Sequence, residues 1–189
     1  MPIVIIRPNA TGDANGCGAS PVVDHYLNVR EVVQDGDATR VDSESQPAFN
    51  TDLYQLEDVS FPVVCVINSV TVYYCCEAWL APWWGCAAAL IRTGGVTYDI
   101  TGIWNPGFGG GAIAPALIYT LYNVVWALNP NTGLAWTKAQ IQALQAGIGL
   151  RRTDWTGGGS RTCCTQLYVA VDYSFIIPTA QTNPATEVS

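Results

Sequence analysis

Hydrophobic and polar positions alternate along this chain in short runs, each cut off by glycine, proline or asparagine. A period of two marks a half-buried strand, because successive side chains of an extended backbone point to opposite faces. The runs are rich in Val, Ile, Tyr, Thr and Trp, which suit a pleated surface. They predict strands over Ile3–Arg7, Tyr26–Val33, Ala38–Ser43, Asp52–Asp58, Cys65–Glu77, Cys86–Arg92, Val96–Thr101, Ala116–Ala127, Gly147–Thr153 and Thr162–Tyr173. Turn residues predict loops at Asn9–Ser20, Ala81-Pro82, Thr93-Gly94-Gly95, Asn105–Gly111, Asn129–Gly133 and Gly157–Ser160. Many short strands with turns between them indicate an all-β sandwich or barrel. No internal repeat is visible.

One helix is expected. Thr137 can N-cap the segment Lys138–Ala146, Ile141 and Leu144 share one face of it, and Gly147 is placed to stop it. A helix this short is marginal alone and must pack on the sheet through Ile141, Leu144 and Trp136.

The two longest runs can be read face by face. In the first, Val66, Val70, Val72, Tyr74 and Cys76 share a face, with Asn68 the exception, and Ile67, Ser69, Thr71, Tyr73 and Cys75 share the other. In the last, Cys163, Thr165, Leu167, Val169, Val171 and Tyr173 lie opposite Cys164, Gln166, Tyr168, Ala170 and Asp172. Strict alternation therefore puts Cys76 and Cys163 in the core and turns Cys75 and Cys164 outward.

The chain has 189 residues, 49% of them hydrophobic and only 12% charged. That length fits one domain, and a compact chain of this size buries roughly 70% of its unfolded surface without a metal or disulfide staple. The composition excludes a disordered protein. A formal net charge of −7, with seven Arg and one Lys, argues against nucleic-acid binding. No apolar run is long enough for a membrane helix, and MPIVIIRPNA has no basic start, so neither a membrane span nor a signal peptide is expected.

The charge is uneven. Residues 1–58 hold ten acids against three arginines, and the remainder balances. A solvated face explains this best. Asp35, Asp37, Asp42 and Glu44 could offer oxygens to calcium, but their spacing matches no EF-hand loop.

Candidate chemistry is sparse. The seven cysteines are Cys17, Cys65, Cys75, Cys76, Cys86, Cys163 and Cys164. None of their spacings is a zinc knuckle, and His25 is the only histidine. Vicinal cysteines in a strand face opposite sides, so Cys75-Cys76 and Cys163-Cys164 are better placed to bridge neighbouring strands or subunits than each other. Buried free thiols are the plain alternative. Of the outward set, Cys17, Cys75 or Cys164 is expected to crosslink subunits once a particle leaves the reducing cytosol. A nucleophilic cysteine needs a base beside it, and nothing in the sequence brings His25 to one. The run Gly107–Gly111 lacks the lysine and helix of a phosphate loop. Glycosidase chemistry needs two facing carboxylates, and nothing selects a pair. No enzyme, metal or cofactor is expected.

The seven tryptophans are expected to fill the core and subunit interfaces, where Trp and Tyr are enriched. Trp83 and Trp84, beside Pro82, and Trp104 offer an alternative: a stacking platform for sugar rings.

The segment Trp126–Tyr173 resembles the C-terminal half of a β-jelly-roll domain of tailed-phage virion proteins. The shared features are the turn Asn129–Gly133, the Trp136-Thr137 helix start and the closing strand Thr165–Tyr173. Asp24–Val41 resembles the domain's opening more loosely, and Val59–Glu77 its first long strand; together the likeness spans roughly residues 24–175. The cysteine pairs depart from the pattern. The resemblance implies a head decoration protein, a collar or head fibre, or a tail appendage, with no catalytic residues to carry over.

The expectation is thus a single antiparallel jelly-roll sandwich over residues 21–177. An N-terminal arm and glycine-rich loop (1–20) precede it and a polar tail (178–189) follows. Strand Ile3–Ile6 could add to another subunit's sheet edge, and the tail could lie on a neighbour. With one lysine, the sheet edges lack the usual protection against pairing. A homo-oligomer follows, a trimer by analogy with virion decorations, bound to capsid, collar or tail proteins and located in the virion. The runner-up is a carbohydrate-binding module; a third reading, a hydrolase, requires a cleft with paired carboxylates.

Overall fold

The computed structural model describes residues 2–44, 47–79, 85–107, 109–152 and 161–176. In chain order the strands are β1 (Ile3–Ile6), β2 (Pro8–Asn15), β3 (Gly18–Ser20), β4 (Arg40–Ser43), β5 (Asn50–Leu56), β6 (Cys65–Ala78), β7 (Gly85–Thr93), β8 (Val96–Asp99), β9 (Gly102–Ile103), β10 (Thr120–Trp126), β11 (Gln145–Arg152) and β12 (Thr162–Phe175). A 3-10 turn spans His25–Asn28, and helix α1 spans Lys138–Gln142.

Two antiparallel sheets face each other. The first runs β10-β6-β12-β4-β3, with β1 also pairing with β12; the second runs β2-β5-β11-β7-β8-β9. Eight of these strands pair first with last: β4 with β12, β5 with β11, β6 with β10, and β7 with β8. That nesting is the rolled hairpin of a jelly roll. Its tip is the two-residue turn between Thr93 and Val96, where Gly94 and Gly95 adopt φ of 59° and 81°. Both values require the left-handed region, which glycine enters without a Cβ penalty.

The core lies between the sheets. Val70, Val72, Tyr74, Leu167, Val169 and Val171 meet Tyr54, Ala89, Ile91, Ile148 and Leu150. A smaller cluster of Leu53, Ala88 and Leu90 lies on the far side of the second sheet, covered by Ala14, Trp104 and Ala112.

The sequence and the structure differ at several places. Asn9–Ser20, expected as loop, forms β2 and β3, and β1 pairs with the chain's own β12. The expected arm is therefore built into both sheets. Tyr26–Val33 is no strand. Asn28, buried, donates through Nδ2 to the carbonyls of Pro21 (3.0 Å) and Arg40 (3.1 Å), and Leu167 N–H donates to Val29 O. These bonds hold a turn where alternation read a strand.

Helix α1 begins as expected. Thr137 accepts from the Gln140 N–H, and the Gln140 side chain accepts from the Thr137 N–H, a reciprocal cap. It ends earlier, because Gln145–Arg152 pairs with both β5 and β7, and ladder bonds on two sides outweigh one more helical turn. Ile141 and Leu144 are fully buried and contribute about 2 kcal/mol each to docking it. No helix among the described residues is long and apolar enough to cross a membrane.

Candidate functional site

The most concentrated chemistry sits between the sheets, around a carboxylate. Asp52, Tyr54 and Leu56 alternate along β5 onto the core side, so Asp52 enters the core with no exposed surface. Its Oδ1 accepts from the Cys17 backbone N–H at 2.9 Å. Its Oδ2 accepts from the Tyr54 hydroxyl at 3.0 Å and lies 2.7 Å from His25 Nδ1. A carboxylate only accepts, so His25 presents Nδ1–H. The carboxylate fastens the approach to β3 and the 3-10 turn to β5.

Cys17 and His25 thus share one carboxylate, which no spacing in the sequence announces. The arrangement does not activate the thiol. Burial, and then the charge of Asp52, push the Cys17 thiol well above its usual range. The nucleophilic form is the thiolate, and both causes oppose it. The alternation Asp52, Tyr54, Leu56 was the available signal: an acid in a core-facing register.

The seven cysteines are free thiols. Their placement corrects the expected pattern. The β6–β12 register slips between Cys164 and Gln166, where Thr165 bulges, and again between Asp172 and Tyr173, opposite Asn68. A bulge inverts the facing of everything beyond it. Cys164, not Cys163, therefore faces the core, directly opposite Cys76. Cys163 sits on the outer side opposite Glu77. Cys65 and Ile67 face the core and Val66 is exposed, the reverse of strict alternation.

The expected crosslinkers are also corrected. Cys17, Cys75 and Cys164 are buried, at 8%, 3% and 0% exposure. Burial drives the Cys76 thiol well up and the Cys75 thiol up to about 12. The partly exposed thiols are Cys65 and Cys86, the latter 3.9 Å from Arg151 Nη2.

The acidic stretch is spent on internal pairs. Asp42 lies 3.4 Å from Arg40 and 3.2 Å from Arg161, Asp37 lies 3.2 Å from Arg40, and Glu44 lies 3.0 Å from Arg161. Both guanidinium groups flank Trp79, at 5.5 and 4.6 Å from its ring centre. Asp35 accepts from the Thr39 N–H, and its Oδ1 lies 3.2 Å from the hydroxyl of the bulged Thr165. Among the described residues no three His, Cys, Asp or Glu side chains converge on a metal position.

No protein-family model matches this chain, and no curated protein matches it.

The tryptophans divide. Trp83 and Trp84 lie outside the described residues. Trp104 is half-buried: its indole N–H donates to Thr51 at 3.2 Å, its ring meets Phe49 edge-on, and its six-membered ring rests where a Cβ on Gly149 would stand. That ring is packed against β11 and is not an open platform. Trp126 and Trp136 are buried, with Trp136 Nε1 donating to the Trp126 carbonyl.

The outer face of the first sheet carries one group of the exposed apolar side chains, among polar neighbours such as Asn123 and Asp172. Register aligns Leu121 and Val125 on β10 with Tyr73 on β6, Tyr168 on β12, and Ile5 and Ile3 on β1. Tyr73 and Tyr168 stack at 4.8 Å, with interplanar angle 10°. Leu121, Val125, Ile5 and Ile3 are 49%, 48%, 39% and 61% exposed. An outward face is ordinarily the polar one in a sandwich.

Proposed function

We propose that this chain is a non-enzymatic structural protein of a tailed-phage virion, a capsid decoration, collar or fibre component that stabilises the particle by oligomeric packing. The observation that carries the reading is the apolar outer face of the first sheet, spread over four strands. Scattered exposed apolar residues are normal, but a contiguous patch marks an interaction surface. The resemblance of Trp126–Tyr173 to virion jelly rolls supports the same reading. That resemblance rests on the turn at Asn129–Gly133, the capped start of α1 and the closing strand β12. Crosslinking between subunits falls to Cys65 or Cys86, the thiols that reach the surface.

The chain is then made in the host cytoplasm and carried outside with the particle. The test is quantitative mass spectrometry of purified particles. The reading expects the chain in many copies, at a fixed ratio to the shell protein. Absence from particles overturns it, as does saturable oligosaccharide binding that is lost on Trp83→Ala.

A further inference from the structure

The outer face of the first sheet holds two charges that find no counter-ion. Arg7 follows β1 and places its guanidinium 5.6 Å from the centre of the Tyr168 ring. Asp172 stands opposite Ile3 on the same face, four residues further along β12. Among the described residues neither forms an ion pair, and Arg7 Nε and Asp172 Oδ1 are buried atoms without a hydrogen-bond partner. Both residues are half-buried, and a buried polar atom without a partner is costly, so native structures usually supply one.

We propose that this face is a homodimer interface, closed by a second copy of the chain packed sheet on sheet. The inference rests on the assembly reading only in taking self-association as the use of the face. Its geometry is specific. Arg7 lies beside Tyr168, and Tyr168 and Asp172 are about 13 Å apart along β12 at 3.3 Å per residue. A two-fold axis crossing the strands at the level of Ala170 and its neighbour Ile5 bisects that span. It brings each Arg7 over the partner subunit's Asp172. Such a contact is isologous, and one self-complementary patch serves both subunits.

The size is at the low end for a specific interface. Four strands at about 4.8 Å spacing, β1 four residues and β10 seven residues long beside about 30 Å of β6 and β12, present roughly 450 Å² of face. A standard interface buries about 800 Å² per partner. The face combines tyrosine, isoleucine and arginine side chains, and aromatic residues and Arg are the types enriched in interfaces.

Sedimentation velocity on the full chain, from about 1 to about 100 µM, tests the inference across the affinity range of weak to moderate dimers. The expected result is a dimer. Arg7→Asp and Asp172→Arg each weaken association about tenfold or more, and the double reversal restores most of it, as a charge pair across an interface requires. Asn123→Arg supplies a second variant: Asn123 is exposed, sits opposite Tyr73 on the face, and makes no demand on folding. It is expected to give a monomer with an unchanged melting curve. A wild-type monomer throughout overturns the proposal. So does an oligomer insensitive to Asn123→Arg and Arg7→Asp; that outcome moves assembly to another face and leaves the virion reading to stand or fall on particle composition.

Discussion

Cys164 stands directly opposite Cys76 across β12 and β6, both side chains in the core, although strict alternation along β12 sends Cys164 outward. One inserted residue, Thr165, accounts for the inversion. Its hydroxyl donates to Thr39 O at 2.8 Å and reaches Asp35 Oδ1 at 3.2 Å. Next to it, Gln166 Nε2 donates to the carbonyls of Glu31 and Val32. The bulge thus does two things: it points a thiol inward and it anchors the loop ahead of β4.

Thiol accessibility follows from this arrangement. Alkylation of the native protein is expected to modify Cys65 and Cys86 first. Cys17, Cys75, Cys76, Cys163 and Cys164 should react only after denaturation, because the reagent cannot reach a buried sulfur. Peptide mass spectrometry reads the order. Early labelling of Cys76 or Cys164 would contradict the facing assigned here.

Asp52→Ala is expected to destabilise the fold by about 3 kcal/mol or more, since it strands the Tyr54 hydroxyl, the Cys17 N–H and the His25 ring in the core. His25→Ala should cost about 1 kcal/mol, because it leaves Asp52 two other donors and removes one hydrogen bond. Urea unfolding measures both. Equal losses for the two variants would mean that Asp52 is not the hub.

Glu77 gives a pH-dependent prediction. Burial, more than any neighbour, raises its carboxyl above the ordinary 4.5; Asp37 adds to the rise, while Trp79 and Arg40 oppose it. A carboxyl whose folded value is raised binds its proton more tightly in the native state. Its contribution is therefore present below pH 4.5 and lost as pH rises through the folded value. Glu77→Gln should raise the melting temperature at pH 7 and leave it unchanged near pH 4. Thermal melts at the two pH values decide it, and a variant less stable than wild type at pH 7 would refute the sign.

Two glycines on β11 separate by what lies above them. At Gly147 an added Cβ meets the Asp52 carbonyl, which cannot retreat without breaking the β5–β11 ladder. Gly147→Ala is expected to cost about 3 kcal/mol or more, at the upper end for overpacking. At Gly149 the added Cβ lies 2.6 Å from the outer atom of the Trp104 ring, which can swing away. Gly149→Ala should cost about 1–2 kcal/mol and shift the tryptophan emission. Thermal denaturation with fluorescence distinguishes the two.

Much of the fold was legible beforehand. The long strands β6 and β12, the Thr93–Val96 hairpin and the Thr137 cap each rest on local chemistry, a period of two, a Gly-Gly pair or a capping side chain, and each formed where it was read. The site was less legible. Asp52 carried a faint signal in its core-facing register, but its partners Cys17 and His25 come from segments read as loop with no tie to β5.

Composition and period by themselves determined an all-β sandwich or barrel with one short helix, because alternation and turn residues act over a few neighbours and need no knowledge of the rest of the chain. Tertiary structure decided the remainder: that Asn9–Ser20 joins the sheets, that Tyr26–Val33 does not, and that Cys164 rather than Cys163 enters the core. In each case a long-range hydrogen bond or a single-residue slip in register overrode local preference. A period-two pattern fixes which residues share a face only until the first bulge, and where that bulge falls is set by the strand on the other side.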